Sequence, residues 1–162
     1  MGVGHATTVT EPTADDLIFM AAALECAKVA GDVGEVPVGA VIVLNGEIIG
    51  AAGNYPIASN DPTAHAEIRA LRQASGVAGN YRLPDADAYV TLEPCAMCAG
   101  AFLHARIRRL FFAAVDPKTG ACGSLLNLVS DSRQNHQIDV SSGLLAVEAA
   151  ELLQAFFRAR RK

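Results

Sequence analysis

The sequence predicts an α/β protein: a three-layer α/β/α sandwich around a five-stranded mixed sheet. Three observations carry this expectation. Pro37 to Leu44 is nearly all apolar and rich in Val, as in a strand buried on both faces. Asn45-Gly46 follows it, the strongest short hairpin signal. Ala86–Leu92, Cys95–Ala105 and Arg108–Ala114 then read as strand, helix and strand, which implies a parallel pair with a right-handed crossover. A hairpin thus starts the sheet and parallel strands follow. At 162 residues the chain suits one domain with one core, and 51 % hydrophobic residues permit a fully buried sheet.

Residues 1–12 show no periodicity and read as a mobile tail, leaving 13–162 as the single domain. Thr13 is a good N-cap with Asp15 and Asp16 in the first turn. Leu17, Met20, Ala21 and Leu24 then recur at helical spacing, so a helix runs to about Ala30 and Gly31 ends it. Glu47 to Gly53 is the return strand of the hairpin, and Asn54-Tyr55-Pro56 leaves it as a loop. Asp61 as N-cap and Pro62 as first residue predict a helix to about Ala74. The last elements are a short strand over His136–Val140 and a helix over Gly143–Lys162. Leu145, Ala149, Leu152, Leu153 and Phe156 mark that helix's buried stripe. Between them, Val115 to Asn135 is the longest irregular stretch, and loops of that length are often functional.

Composition narrows the function. A net charge of −4 argues against a general nucleic-acid binder, though a local basic patch remains compatible with it. No apolar run would span a bilayer, no signal peptide is evident at the N-terminus, and no nucleotide-binding fingerprint occurs. Of the four cysteines, Cys26 and Cys122 read as free thiols, which fits a cytoplasmic protein.

The chemistry concentrates in His65-Ala66-Glu67 and Pro94-Cys95-Ala96-Met97-Cys98. Cysteines three apart share one face of a helix, and Pro94 suits its first position. The helix dipole favours their thiolate forms. With His65 they make two sulfurs and one imidazole, the donor set of a catalytic zinc site with one position open to water. A redox pair would leave His65 and Glu67 unexplained. A structural zinc would need a fourth protein ligand, for which His136 and Cys122 are the candidates. On an ideal helix His65 and Glu67 would point roughly 200° apart, so spacing alone does not bring them together.

His-x-Glu followed by Pro-Cys-x-x-Cys is the zinc-deaminase signature. The resemblance goes further. Glu35 to Val41, Asn60 to Ile68, Asn80 to Leu83, Val90 to Gly100 and Phe156-Phe157-Arg158 are all similar to the bacterial tRNA-specific adenosine deaminases. The likeness runs from about Ala14 onward. It implies a cytidine-deaminase-like fold and one zinc per chain held by His65, Cys95 and Cys98. It also implies that Glu67 is the catalytic acid–base and that the protein is a homodimer. The implied reaction is adenosine to inosine at the wobble position of a tRNA anticodon, chiefly in the arginine tRNA with an ACG anticodon.

Five residues carry further expectations about substrate. Asn54 is a turn former by type, and the family match makes its amide a substrate contact. Asp116 follows strand 108–114 at the same sheet edge as Cys95. It reads either as a turn starter or as an acceptor for a ribose 2′-hydroxyl, the group that marks RNA. Phe157, Arg158 and Arg160 end the last helix. Such cations complement a helix C-terminus, and beside two aromatics they also suit phosphate contact and base stacking in a tRNA stem-loop. Two other readings stay open: a deaminase of a free base or nucleoside, and a catalytically silent zinc module that binds RNA.

Overall fold

The computed structural model describes residues 11–161. The expected mobile segment 1–12 lies outside them, apart from Glu11 and Pro12. Helix α1 (Ala14–Asp32) opens at Thr13 with a reciprocal cap. The Thr13 hydroxyl accepts from the Asp16 amide at 3.2 Å, and the Asp16 carboxylate accepts from the Thr13 amide at 2.8 Å. Met20, Ala23, Leu24, Ala27 and Ala30 form its buried stripe, while Leu17 and Ala21, expected there, face solvent. The stripe is turned because Asp16 points inward to the Tyr89 hydroxyl. Gly31 stays helical, and the chain leaves the helix through Val33 and Gly34 instead.

Strands β1 (Gly39–Leu44) and β2 (Glu47–Gly53) form the expected hairpin. Asn45 at φ 51° and Gly46 at φ 78° both take the left-handed backbone of its two-residue turn. The following segment is not a plain loop, because Pro56–Ser59 closes one helical turn, α2. Then come α3 (Ala66–Ala78), β3 (Asp87–Leu92), α4 (Ala96–Ala105), β4 (Arg109–Ala114), β5 (Asp139–Ser142) and α5 (Ala146–Arg160). Helix α3 passes through Gly76 and ends at Gly79. The last strand and helix each start three residues later than expected, because Ile138 is held as a loop residue by Val129 and Gly143 makes a turn at φ 99°.

The sheet order is β2-β1-β3-β4-β5, with β1 antiparallel to both neighbours and β3, β4 and β5 parallel. Alternation along the strands builds two cores. Ala40, Ile42, Ala88, Val90, Leu110 and Phe112 face α3 and α4. Val41, Val43, Tyr89, Phe111 and Ala113 face α1 and α5. Within α5 only Ala149 is fully buried; Leu152, Leu153, Phe156 and the N-cap Leu145 are half-buried, so this helix packs loosely against β4 and β3. Among the described residues, no helix is long and apolar enough to cross a membrane.

Candidate active site

The two motifs meet at the C-terminal end of β3, where open α/β sheets place their ligand sites. His65 is not inside a helix, contrary to a start at Pro62. Its backbone is extended, with φ −68° and ψ 153°, and it is the N-cap of α3. Asp61 closes a separate turn by accepting from the Thr63 amide and hydroxyl. The switch from extended to helical backbone between His65 and Glu67 removes the 200° divergence of an ideal helix. Cys95 repeats the arrangement as the N-cap of α4, with Cys98 in the first turn and Pro94 just outside the helix.

The result is a compact donor cluster. His65 Nδ1 lies 3.7 Å from Cys95 Sγ and 3.5 Å from Cys98 Sγ. All three donor atoms lie within 4.8 Å of one another, and this group could hold a metal ion. Neither Cys122 nor His136 joins it. The Cys122 thiol is buried and its pKa is pushed up to about 12, chiefly by that burial. The His136 ring is 2.8 Å from the Ile107 carbonyl. A hydrogen bond from the Cys98 thiol draws Cys95 down to about 4, a thiolate poised for a cation. The same hydrogen bond and burial push the Cys98 thiol up. The hydrogen bond to Cys95 raises His65 despite burial.

Glu67 is 4 % exposed, and burial pushes its carboxyl above the ordinary range although Cys98 and His65 lie beside it. Asn54 braces the site from β2. Its Nδ2 donates to the Val36 carbonyl at 3.2 Å, and its Oδ1 accepts from the Ala66 amide at 2.9 Å. It therefore caps α3 from outside, leaving the His65 ring free to face the cysteines. A cleft of about 220 Å³ opens here, lined by Asn54, His65, Glu67, Cys95, Asp116 and Thr119 among others. A larger cavity, about 470 Å³, lies on the other side of Asn54 between α1 and β2. Its wall carries Cys26 and Arg69 but none of the clustered donors.

Residues 14–161 match the family described as MafB19-like deaminase. The chain is also 52 % identical over 145 residues to the tRNA-specific adenosine deaminase of Haemophilus influenzae, covering 89 % of this chain and 84 % of that one. The chain belongs to the tRNA-specific adenosine deaminases. It is thus a hydrolytic enzyme that acts on tRNA. Among solved structures, a tRNA:A34 deaminase studied for A-to-I editing at the wobble position superposes with a TM-score of 0.81 at 51 % identity. The match covers 84 % of this chain and 99 % of that one. A guanine deaminase from Bacillus subtilis superposes over 60 % of this chain and 63 % of its own, with a TM-score of 0.59 at 44 % identity.

The remaining expected contacts of this tRNA deaminase fall in two places. Asp116 lines the cleft, but its carboxylate is turned into its own loop. It accepts from the Lys118 amide at 3.0 Å, the Thr119 amide at 3.2 Å and the Thr119 hydroxyl at 2.7 Å. Phe157, Arg158 and Arg160 do not line the cleft. Phe157 and Arg158 are exposed, and Arg160 stacks over Phe156 at 3.5 Å and reaches the Gly34 carbonyl at 3.4 Å. That carbonyl is two residues before Val36 in the cleft wall.

Two buried glutamates escaped the sequence reading. Glu35, 1 % exposed, accepts from the Ile57 amide at 3.2 Å and the Ala58 amide at 2.9 Å, and so holds α2 at the cleft rim. Glu93, 2 % exposed, grips the loop after β4. The usable signal for Glu93 was its position: a carboxylate closing a buried strand, followed at once by Pro and a Cys of the donor cluster.

Proposed function

We propose that the chain binds one zinc ion through His65, Cys95 and Cys98 and deaminates adenosine to inosine at the wobble position of tRNA anticodons. The arginine tRNA with an ACG anticodon is the main substrate in this reading. The observation that carries it is the donor cluster, with the buried Glu67 carboxylate opening onto the same cleft. The spacing supports zinc. Tetrahedral coordination with standard zinc–nitrogen and zinc–sulfur lengths needs N···S separations of about 3.6 Å, and the chain holds 3.7 and 3.5 Å. Bound there, zinc would supply Lewis-acid activation of water at neutral pH.

The chain's own groups do the rest. Glu67 accepts a proton from the attacking water and gives it to N1 of the purine ring; it then takes the proton of the new C6 hydroxyl and gives it to the departing amine. Burial suits it, because a raised carboxyl pKa favours both taking and giving the proton near neutrality. Oxygen adds at C6, the C6–N bond breaks, and ammonia leaves. Asn54 keeps an amide hydrogen and an acceptor lone pair for the nucleotide while it braces α3. Asp116 offers a carboxylate edge to a ribose 2′-hydroxyl, and Phe157, Arg158 and Arg160 contact the stem-loop outside the cleft. The target base must leave the anticodon stack, which costs little in a loop.

The family likeness also supports a homodimer, a cytoplasmic location and a single domain over 13–162. The deciding experiment incubates the purified protein with total bacterial tRNA and sequences the products. Adenosine read as guanosine at the wobble position of the arginine tRNA is the expected result. The likeness to a guanine deaminase favours one competing reading, action on free bases. Ammonia release from free guanine or cytosine without tRNA editing would establish that instead.

A further inference from the structure

The Glu93 carboxyl group sits in a nearly dry position and meets four donors, all from one loop. Its Oε1 accepts from the Asp116 amide at 3.1 Å and from the Ser124 hydroxyl. Its Oε2 accepts from the Cys122 amide at 3.0 Å and the Ser124 amide at 3.1 Å. Next to it, the Pro94 carbonyl accepts from the Ala121 amide at 2.8 Å. The loop closes over this carboxylate so tightly that a Cβ on Gly120 would overlap Glu93 Cδ and Oε2. Only glycine leaves room there. Two side chains of the same loop, Asp116 and Thr119, form one wall of the cleft, facing Asn54 and Pro56 across it.

We infer that Glu93 is a positioning residue for substrate: its carboxylate sets the place of the Asp116–Thr119 wall relative to the Cys95 end of the cleft. It acts through the Asp116 amide, since Asp116 in turn folds its carboxylate onto Thr119. A carboxylate is needed because all four partners donate. An amide in its place has one oxygen and one NH2 group. The NH2 settles on the Oε1 side, where the Ser124 hydroxyl can rotate to accept from it. The Asp116 amide hydrogen cannot, and it loses its acceptor. Glu93→Gln therefore keeps the shape and two backbone bonds but frees the wall at Asp116.

The inference rests on the reading that this cleft takes the target nucleotide of a tRNA loop. The test uses the metal-loaded enzyme and an anticodon stem-loop. Glu93→Gln should raise KM about tenfold, the worth of one hydrogen bond of roughly this kind, with kcat and metal content held. Ser124→Ala removes a donor but leaves the Asp116 bond, and should change KM less than threefold by the same reckoning, about half a hydrogen bond's worth. Amide hydrogen exchange on the unaltered enzyme gives a readout free of substrate. The Asp116, Cys122 and Ser124 amides should be protected together, and Glu93→Gln should expose Asp116 selectively. An unchanged KM in Glu93→Gln overturns the inference, as does an Asp116 amide that exchanges like free loop in the unaltered enzyme. If the unaltered enzyme leaves the stem-loop unedited, the functional reading fails rather than this one. Should Glu93→Gln not fold, the exchange pattern of the unaltered enzyme still decides.

Discussion

At the start of β3, Asp87 and Asp16 meet Arg108 and Arg109; at its end, Glu93, with Glu67 and Glu35 nearby, meets no lysine or arginine among the described residues. In the first group each carboxylate has a guanidinium beside it, although the buried Arg109 Nε makes no hydrogen bond. Arg108 grips Asp87 with two bonds of 3.0 and 2.9 Å, Arg109 bonds the same carboxylate, and Tyr89 donates to Asp16. The second group holds its carboxylates without cations. Glu35 is satisfied by backbone amides and Glu93 by three backbone amides and the Ser124 hydroxyl, while Glu67 is left against a thiol with its proton affinity raised by burial. Opposite charges fix structure at one end. At the other, backbone and hydroxyl donors hold the walls, while Glu67, the proposed proton carrier, has no lysine or arginine beside it among the described residues. A guanidinium beside Glu67 would lock it as a carboxylate and compete with any metal ion for the thiolates.

Substitutions at the two ends should separate chemistry from stability. Glu67→Ala should keep about one zinc per chain, measured by metal analysis, while kcat falls by at least 10²–10⁴, roughly the worth of general acid–base catalysis. Loss of zinc in that variant would make Glu67 a ligand instead. His65→Ala and Cys95→Ala should lose metal and stability together. At the opposite end, Arg109→Met should cost about 2–3 kcal/mol in urea unfolding, because it strips a partner from two buried carboxylates. The figure lies below that for a wholly buried pair, since Arg109 is partly exposed and Arg108 still holds Asp87. Turnover per folded, zinc-loaded molecule should not change. A proportionate loss of kcat would show that the two ends are coupled.

The last helix holds charge in a third way, exposed and largely unpaired. Removing residues 158–162 should weaken tRNA binding by about tenfold or more at low salt. It should also flatten the salt dependence by roughly 0.7–0.9 for every phosphate that is no longer neutralised. Zinc content should be retained, since none of residues 158–161 lines the cleft of the donor cluster. An unchanged salt slope would reduce these cations to helix caps.

Much of the fold was legible because its signals are local. The Asn45-Gly46 turn, the Val-rich strand and the Thr13 cap depend on neighbours in sequence, and each appears where expected. The boundaries that moved were set by distant partners. Pro62 looked like a helix start, but the helix waits until Ala66, whose amide is capped by Asn54 from another strand. Asp16 displaced Leu17 from the core because Tyr89, 73 residues away, takes its carboxylate. The donor cluster was legible from residue type and spacing. Its convergence was not, because it depends on His65 and Cys95 both being extended N-caps. Glu35 and Glu93 were hidden for a related reason: apart from the Ser124 hydroxyl on Glu93, their partners are backbone amides, and any sequence supplies those.

The smallest effect concerns Asp16, and it carries a pH signature. Burial alone would raise the Asp16 carboxyl, but hydrogen bonds from Tyr89 and Thr13, with the Arg109 charge, hold it below its usual value. The folded state therefore binds fewer protons here than the unfolded state, and stability from this group rises with pH. Its contribution is complete above the unfolded value of about 3.9 and is lost as pH falls through the lower folded value. Burial and the hydrogen bond to Asp16 both raise the Tyr89 pKa, so its hydroxyl remains a donor throughout. Tyr89→Phe removes that donor but leaves Thr13 and Arg109 in place. It should cost about 1 kcal/mol at pH 7, read as a lower urea midpoint with an unchanged m-value. At pH 3 the difference from the parent should shrink, because that pH lies below the unfolded value and the stability gained from a lowered folded pKa falls away there. Zinc loss in acid would weaken both proteins alike and cancels in the comparison. An equal penalty at both pH values would mean that the hydroxyl acts independently of the Asp16 charge, and no penalty at either would leave only the ring's packing on Phe111, with centroids 4.8 Å apart.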